Sequence, residues 1–182
     1  MSDLPKSKTI PKIYKSELQS LLEDYKEYTM FFTDGSKTEE RVGASVIYNE
    51  NKIMIKIPDS CSIFSAEAIA ISHFLDIIKQ KKITKSIILS DSLSTLTNIQ
   101  NYHQPNDIIR KIQNQISSLE LNSQSITMIW IPSHVGIQGN EIADKYAKQA
   151  ITSFDAQQIN IHTLSDSKKI INNTITNQWQ HI

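Results

Sequence analysis

Tyr28-Thr29-Met30-Phe31-Phe32-Thr33, followed at once by Asp34-Gly35-Ser36, is the stretch on which the fold turns. Its aromatic and β-branched run predicts a buried strand. Asp-Gly-Ser is a turn signal, so the strand is expected to stop at Thr33 with a carboxylate at its end. Working downstream, Val42 to Tyr48 reads as a second strand and Lys52 to Ile57, with alternating apolar positions, as a third. Asn49-Glu50-Asn51 supplies the hairpin turn between them, and Pro58 ends the third strand. These strands can form an antiparallel meander.

The pattern then changes to alternating helix and strand. Ser65 is expected to cap a helix from Ala66 to about Gln80, with Ala66, Ile69, Ala70, Phe74, Ile77 and Ile78 on its apolar face. Ser86 to Ser90 is a short strand that ends at Asp91. A short helix from Ser92 to Asn101 stops before Pro105, and Asp107 to Leu121 carries Ile108, Ile109, Ile112, Ile116 and Leu119 at helical spacing. Ile126 to Ile131 is another strand, ended by Pro132. A loop from Ser133 to Asn140 comes next, with Asn140 as N-cap of a helix from Glu141 to about Ile151.

Upstream, residues 1–12 are polar with two prolines and read as a linker. Ser16 to Tyr28 has helical spacing at Leu18, Leu21, Leu22 and Tyr25. Residues 152–182 are polar, and one more helix is expected from Ser165 to Trp179 with Ile170, Ile171, Ile175 and Trp179 on a face. The expected organisation is a linker and short helix over 1–27, a domain over 28–151 and a polar extension over 152–182. The fold class is α/β, a mixed sheet flanked by helices.

Bulk properties narrow the function. The chain has 182 residues, 39% of them hydrophobic, enough for one domain with flanking segments. Lys plus Arg and Asp plus Glu both number 19, a net charge of zero. Strong autonomous nucleic-acid binding usually needs a basic excess, because phosphates must be neutralised. Cys61 is the only cysteine, which excludes an intrachain disulfide and cysteine-rich zinc sites and suits a reducing compartment. No apolar run stands behind the lysines near Met1, and none approaches a membrane span. A soluble intracellular monomer, cytoplasmic or nuclear, is expected.

Four acidic residues stand at chemically useful places. Asp34 and Asp91 close strands, and ligands in α/β sheets gather at strand ends. Glu67 and Asp144 are expected in the first turns of their helices, where the helix dipole tolerates a carboxylate. Carboxylates converging on one point repel unless a cation joins them, and hard divalent ions with oxygen ligands serve phosphodiester chemistry. Taken singly, each is as well explained as a turn or capping residue. Spacing alone does not bring them together.

Thr33-Asp34-Gly35-Ser36, Ser65-Ala66-Glu67, Ser90-Asp91-Ser92 and the run from Pro132 through His134, Gly136, Gly139 and Asn140 to Asp144 together resemble type 1 ribonuclease H. The flavour is that of the domains attached to reverse transcriptases of non-LTR retrotransposons, and the resemblance covers about residues 28–150. It implies a five-stranded mixed sheet and cleavage of the RNA strand of RNA–DNA hybrids. It implies two divalent ions, Mg²⁺ or Mn²⁺, on Asp34, Glu67, Asp91 and Asp144. It also implies a mobile histidine, His134, that helps proton transfer or product release, and a glutamate, Glu141, near the metal site. Gly35, Ser36 and Ser62 match hybrid-contacting positions, with Ser92 and Asn140 as further candidates. The glycines suggest backbone freedom or close approach of phosphate and metal.

The chain also departs from cellular members. Ile63 and Phe64 stand where many carry amides, and no Lys, Arg or Trp occurs between Thr95 and Asn106, where a basic protrusion would lie. With zero net charge, this predicts a thin grip on substrate, supplemented by a reverse transcriptase domain of the same polyprotein. Two other readings compete. One is a catalytically silent domain kept for packing or partner binding; the other is a different nuclease or integrase on the same fold.

Overall fold

The computed structural model describes residues 11–103 and 106–179. Residues 1–10 of the linker expected at 1–12, and the helix stop expected at Pro105, lie outside them. Strand β1 spans Thr29–Lys37 and runs straight through Asp34-Gly35-Ser36, so the turn expected there is absent. The reason is pairing. Strand β2, Val42–Tyr48, lies antiparallel to it with Asp34 opposite Ser45 and Gly35 opposite Ala44. A ladder partner overrides the local turn preference of Asp-Gly, and the chain reverses later, where the Thr38 N–H donates to the Arg41 carbonyl at 2.9 Å. Strand β3, Asn51–Ile57, completes the meander.

Beyond it come α2 (Ile63–Lys81), β4 (Lys85–Ser90), α3 (Leu93–Gln100), α4 (Asp107–Leu121), β5 (Ser125–Trp130) and α5 (Gln138–Ala150). β4 joins β1 in parallel and β5 joins β4 in parallel. A two-residue strand β6, Gln157–Gln158, pairs with β3, so the sheet has six strands in the order β5-β4-β1-β2-β3-β6 rather than five. Two residues are too few for an alternating pattern to reveal.

Side chains alternate across the sheet, and the alternation builds two cores. Phe31 and Ile88 face the cluster under α2 and α4, while Phe32, Ile87 and Leu89 face a second cluster on the other side. Phe31 stacks on Tyr48 and meets Phe74 edge-on, with both centroid distances 4.7 Å. Truncating Phe31 to alanine would cost about 3–5 kcal/mol. β2 is buried along its whole length because helices cover both faces.

Several helix starts differ from expectation. α2 begins three residues early because Ser62, not Ser65, is its cap: the Ser62 hydroxyl accepts from the Ser65 N–H at 3.1 Å. An N-terminal helix α1 spans Pro11–Leu22 and takes in residues read as linker. It buries Tyr14 and Leu18 on the second core with Leu22 partly buried beside them, whereas Leu21, expected on the inner face, is exposed. A final helix α6, Leu164–Trp179, forms where expected. Its apolar residues Ile170, Ile171, Ile175 and Trp179 all face outward. Among the described residues, no helix is long and apolar enough to cross a membrane.

Candidate metal centre and active site

β1 and β4 lie side by side in parallel, with Thr33 opposite Ser90. Their next residues are Asp34 and Asp91. α2 crosses β1 at Gly35 so closely that a Cβ there would stand 3.0 Å from the Glu67 backbone nitrogen. The close approach is made by the protein's own helix. It brings Glu67 over Asp34 and the end of β4, and ligand oxygens of Asp34, Glu67 and Asp91 lie within 4.8 Å of one another. Glu67 falls in the second turn of α2, so this contact, not a first-turn dipole, places it.

Asp34 and Glu67 are buried, and Asp91 is partly so. Burial, then the charge of Asp91, pushes the Asp34 carboxyl up to about 7, against the opposing pull of the Gly35 N–H, which donates to Asp34 Oδ1 at 2.8 Å. Burial, then Asp34 and Asp91, pushes Glu67 up to about 9. Glu67 Oε2 has no hydrogen-bond partner. An unsatisfied buried carboxylate oxygen beside two others is the arrangement a hard divalent cation fits, since the cation supplies the missing partner and removes the repulsion.

Asp91 is held on two sides. Asn140 Nδ2 donates to its Oδ2 at 3.1 Å, and the Trp130 indole N–H donates to its carbonyl at 3.1 Å. α5 starts at Gln138 after Ile137, so Asn140 is inside the helix and is not its N-cap. The side chain is spent on Asp91 instead. Nothing in its local sequence separates that role from capping, and Trp130 gave no signal as a site residue.

Asp144 stands apart from the three. It lies in the second turn of α5 and pairs with Lys148 at 2.7 Å, one turn on. The partner is legible from its i, i+4 spacing. Even so, Asp144 is near enough to contribute to the raised pKa of Asp34. His134 is exposed in a loop where it and Gly136 take left-handed backbone, φ 56° and 77°. The turn requirement at Gly136 is therefore real. Glu141 reaches back from α5 to accept from the Gly136 N–H at 3.1 Å, so it braces this loop.

Of the expected substrate contacts, Gly35 and Ser36 are half-buried on β1 next to the carboxylates. Ser62 and Ser92 have their hydroxyls engaged inside the protein. Ser62 Oγ bonds Ser65, and Ser92 Oγ donates to Thr95 Oγ1 at 2.8 Å.

The RNase H family profile matches residues 26–152. This chain belongs to the RNase H family. As an RNase H domain it is a ribonuclease hydrolase of the kind that cleaves the RNA of RNA–DNA hybrids. Its fold is similar to that of RNase H1 from the halophilic archaeon Halobacterium salinarum NRC-1. The TM-score is 0.53 and the identity 17%, over 68% of this chain and 96% of the archaeal one. No curated protein matches the chain.

Proposed function

We propose that this RNase H domain hydrolyses the RNA strand of hybrids with two divalent ions, Mg²⁺ or Mn²⁺, held by Asp34, Glu67, Asp91 and Asp144. The observation that carries the reading is the convergence of Asp34, Glu67 and Asp91 within 4.8 Å, two of them too buried to ionise together unaided. When bound, such ions activate water and stabilise the departing oxygen of a phosphodiester.

The chain's own residues do the rest. The Gly35 N–H fixes Asp34, and Asn140 fixes Asp91 with one oxygen committed and the other available. Asp144 joins the other three by leaving Lys148, an exposed pair that costs little to break. His134, exposed on its braced loop, is placed to carry a proton to or from the leaving group. The Gly35 and Ser36 backbone, beside the carboxylates, suits contact with 2′-hydroxyls along the hybrid minor groove.

We place this activity in retrotransposon reverse transcription, with a reverse transcriptase domain of the same polyprotein holding the substrate. The sequence motifs, the zero net charge and the lack of any Lys, Arg or Trp in α3 support that context. The test is cleavage of a labelled hybrid at low salt with Mg²⁺ or Mn²⁺, beside Asp34→Asn. Intact chain that cuts no hybrid under either metal would sink the enzymatic reading and favour a silent domain. Equal cutting of double-stranded DNA or RNA would sink the substrate claim.

A further inference from the structure

Asp166 lies beyond the family match and is 2% exposed. A buried carboxylate needs donors, and it has three. Ser65 Oγ donates to Oδ2 at 2.6 Å, Thr163 Oγ1 to the same oxygen at 2.7 Å, and the Ser62 N–H to Oδ1 at 3.0 Å. Its own N–H donates back to Thr163 Oγ1 at 3.1 Å, which caps α6. Burial raises its pKa, but the hydrogen bonds from Ser65, Thr163 and Ser62 outweigh that and leave it below the ordinary value. It is an ionised group making short, charge-assisted bonds.

The two ends of this clasp differ in purpose. Past Asp166, α6 buries almost none of its apolar residues, with Ile171 57% and Trp179 74% exposed. Ile159 packs partly against the first core upstream, but hydrophobic packing does not explain why α6 itself docks. The other end is the cap and first turn of α2, and Ser65 is two residues before Glu67. α2 is pressed on β1 at Gly35 with no spare room. Asp166 grips the start of the same helix. Cys61, fully buried just before the cap, is enclosed by the same segment, its Sγ 3.5 Å from the Ile161 carbonyl.

We infer that Asp166 is a positioning residue for the carboxylate centre, fixing the first turn of α2 through Ser62 and Ser65 and so setting where Glu67 meets Asp34 and Asp91. The inference rests on Glu67 being a metal ligand. Ser65 and Asp166 are 101 residues apart in the chain.

The experiment measures Mn²⁺ binding to the full chain by calorimetry without nucleic acid, together with amide exchange along α2. Asp166→Asn should weaken Mn²⁺ binding about 10-fold, the low end of what loss of an outer-sphere partner costs. Exchange should quicken at Ser65 to Ala68 and stay unchanged in β4 and β5. Excess metal should restore hybrid cleavage, and because metal also stabilises any folded chain, matched thermal melts in chelator must show Asp166→Asn folded at the assay temperature. A folded Asp166→Asn chain with wild-type Mn²⁺ affinity overturns the inference. If Asp166→Asn does not fold, Ser65→Ala decides: weakened binding supports the clasp, and unchanged binding overturns it. Wild-type chain that binds no Mn²⁺ would remove the metal-ligand reading itself, and the inference with it.

Discussion

Asp34, Glu67 and Asp91 are set by the sheet, whereas His134 and Asp144 are set by the loop and helix downstream of β5. Asp34 lies within β1, Asp91 just past the end of β4 and Glu67 on the helix pressed against them; Asp34 and Glu67 are buried, and Glu67 Oε2 is short of a partner. His134 and Asp144 occupy an exposed loop and a helix face, one on left-handed backbone and the other paired to an exposed lysine. The buried pocket is preorganised and electrostatically frustrated. The rim is adaptable and nearly relaxed. A site built this way holds three of the proposed metal ligands rigidly, while the fourth, Asp144, and His134 stand on exposed positions where adjustment costs little.

The largest expected effect breaks the pocket. Asp34→Asn or Asp91→Asn should lower hybrid cleavage by well over about 100-fold, since losing an outer-sphere partner alone reaches that range. Single-turnover assays with matched circular dichroism check it; a folded Asp34→Asn chain with near-normal activity would erase the distinction between pocket and rim.

His134→Ala should sit below that. A positioned proton carrier contributes about 100-fold or somewhat more, and the loss should fall on kcat with Mn²⁺ affinity nearly intact. Abolished metal binding in this variant would make His134 a ligand and move it into the pocket.

The frustration itself is measurable as pH-dependent stability. The Asp34 and Glu67 pKa values are raised to about 7 and about 9. In a chelator, their contribution to stability is therefore full below the ordinary carboxylate range and is lost as pH rises through those values. Thermal melts between pH 5 and 9 should show the decline, and Glu67→Gln should flatten it, gaining on the order of 2 kcal/mol at the alkaline end. A flat wild-type profile would mean that the pocket is as well screened as the rim.

The smallest effect concerns Lys148. Lys148→Ala frees Asp144 from an exposed pair, so metal affinity should rise by less than about fivefold. A large fall instead would show that the lysine holds Asp144 in place.

Much of this architecture is legible in the sequence because periodicity reports local burial. β3 and α4 fall where alternation and helical spacing put them, β3 to within one residue. Local signals fail where a distant partner decides. Asp34-Gly35 reads as a turn, yet it is strand because β2 lies beside it. Asn140 reads as a cap, yet Asp91 claims its amide. The convergence of three carboxylates is visible only through the family motifs. Asp166 has a near partner in Thr163, but Ser62 and Ser65 are a hundred residues upstream, so only the folded chain reveals that contact.

Cys61 gives the protein a reporter of its own. Burial, followed by the neighbouring Asp166 charge, pushes its thiol up to about 12, so in the closed state it is inert towards alkylating reagents at neutral pH. Its reaction with a thiol-directed dye would therefore record how often the C-terminal segment peels away. With no second cysteine in the chain, that signal has a single source.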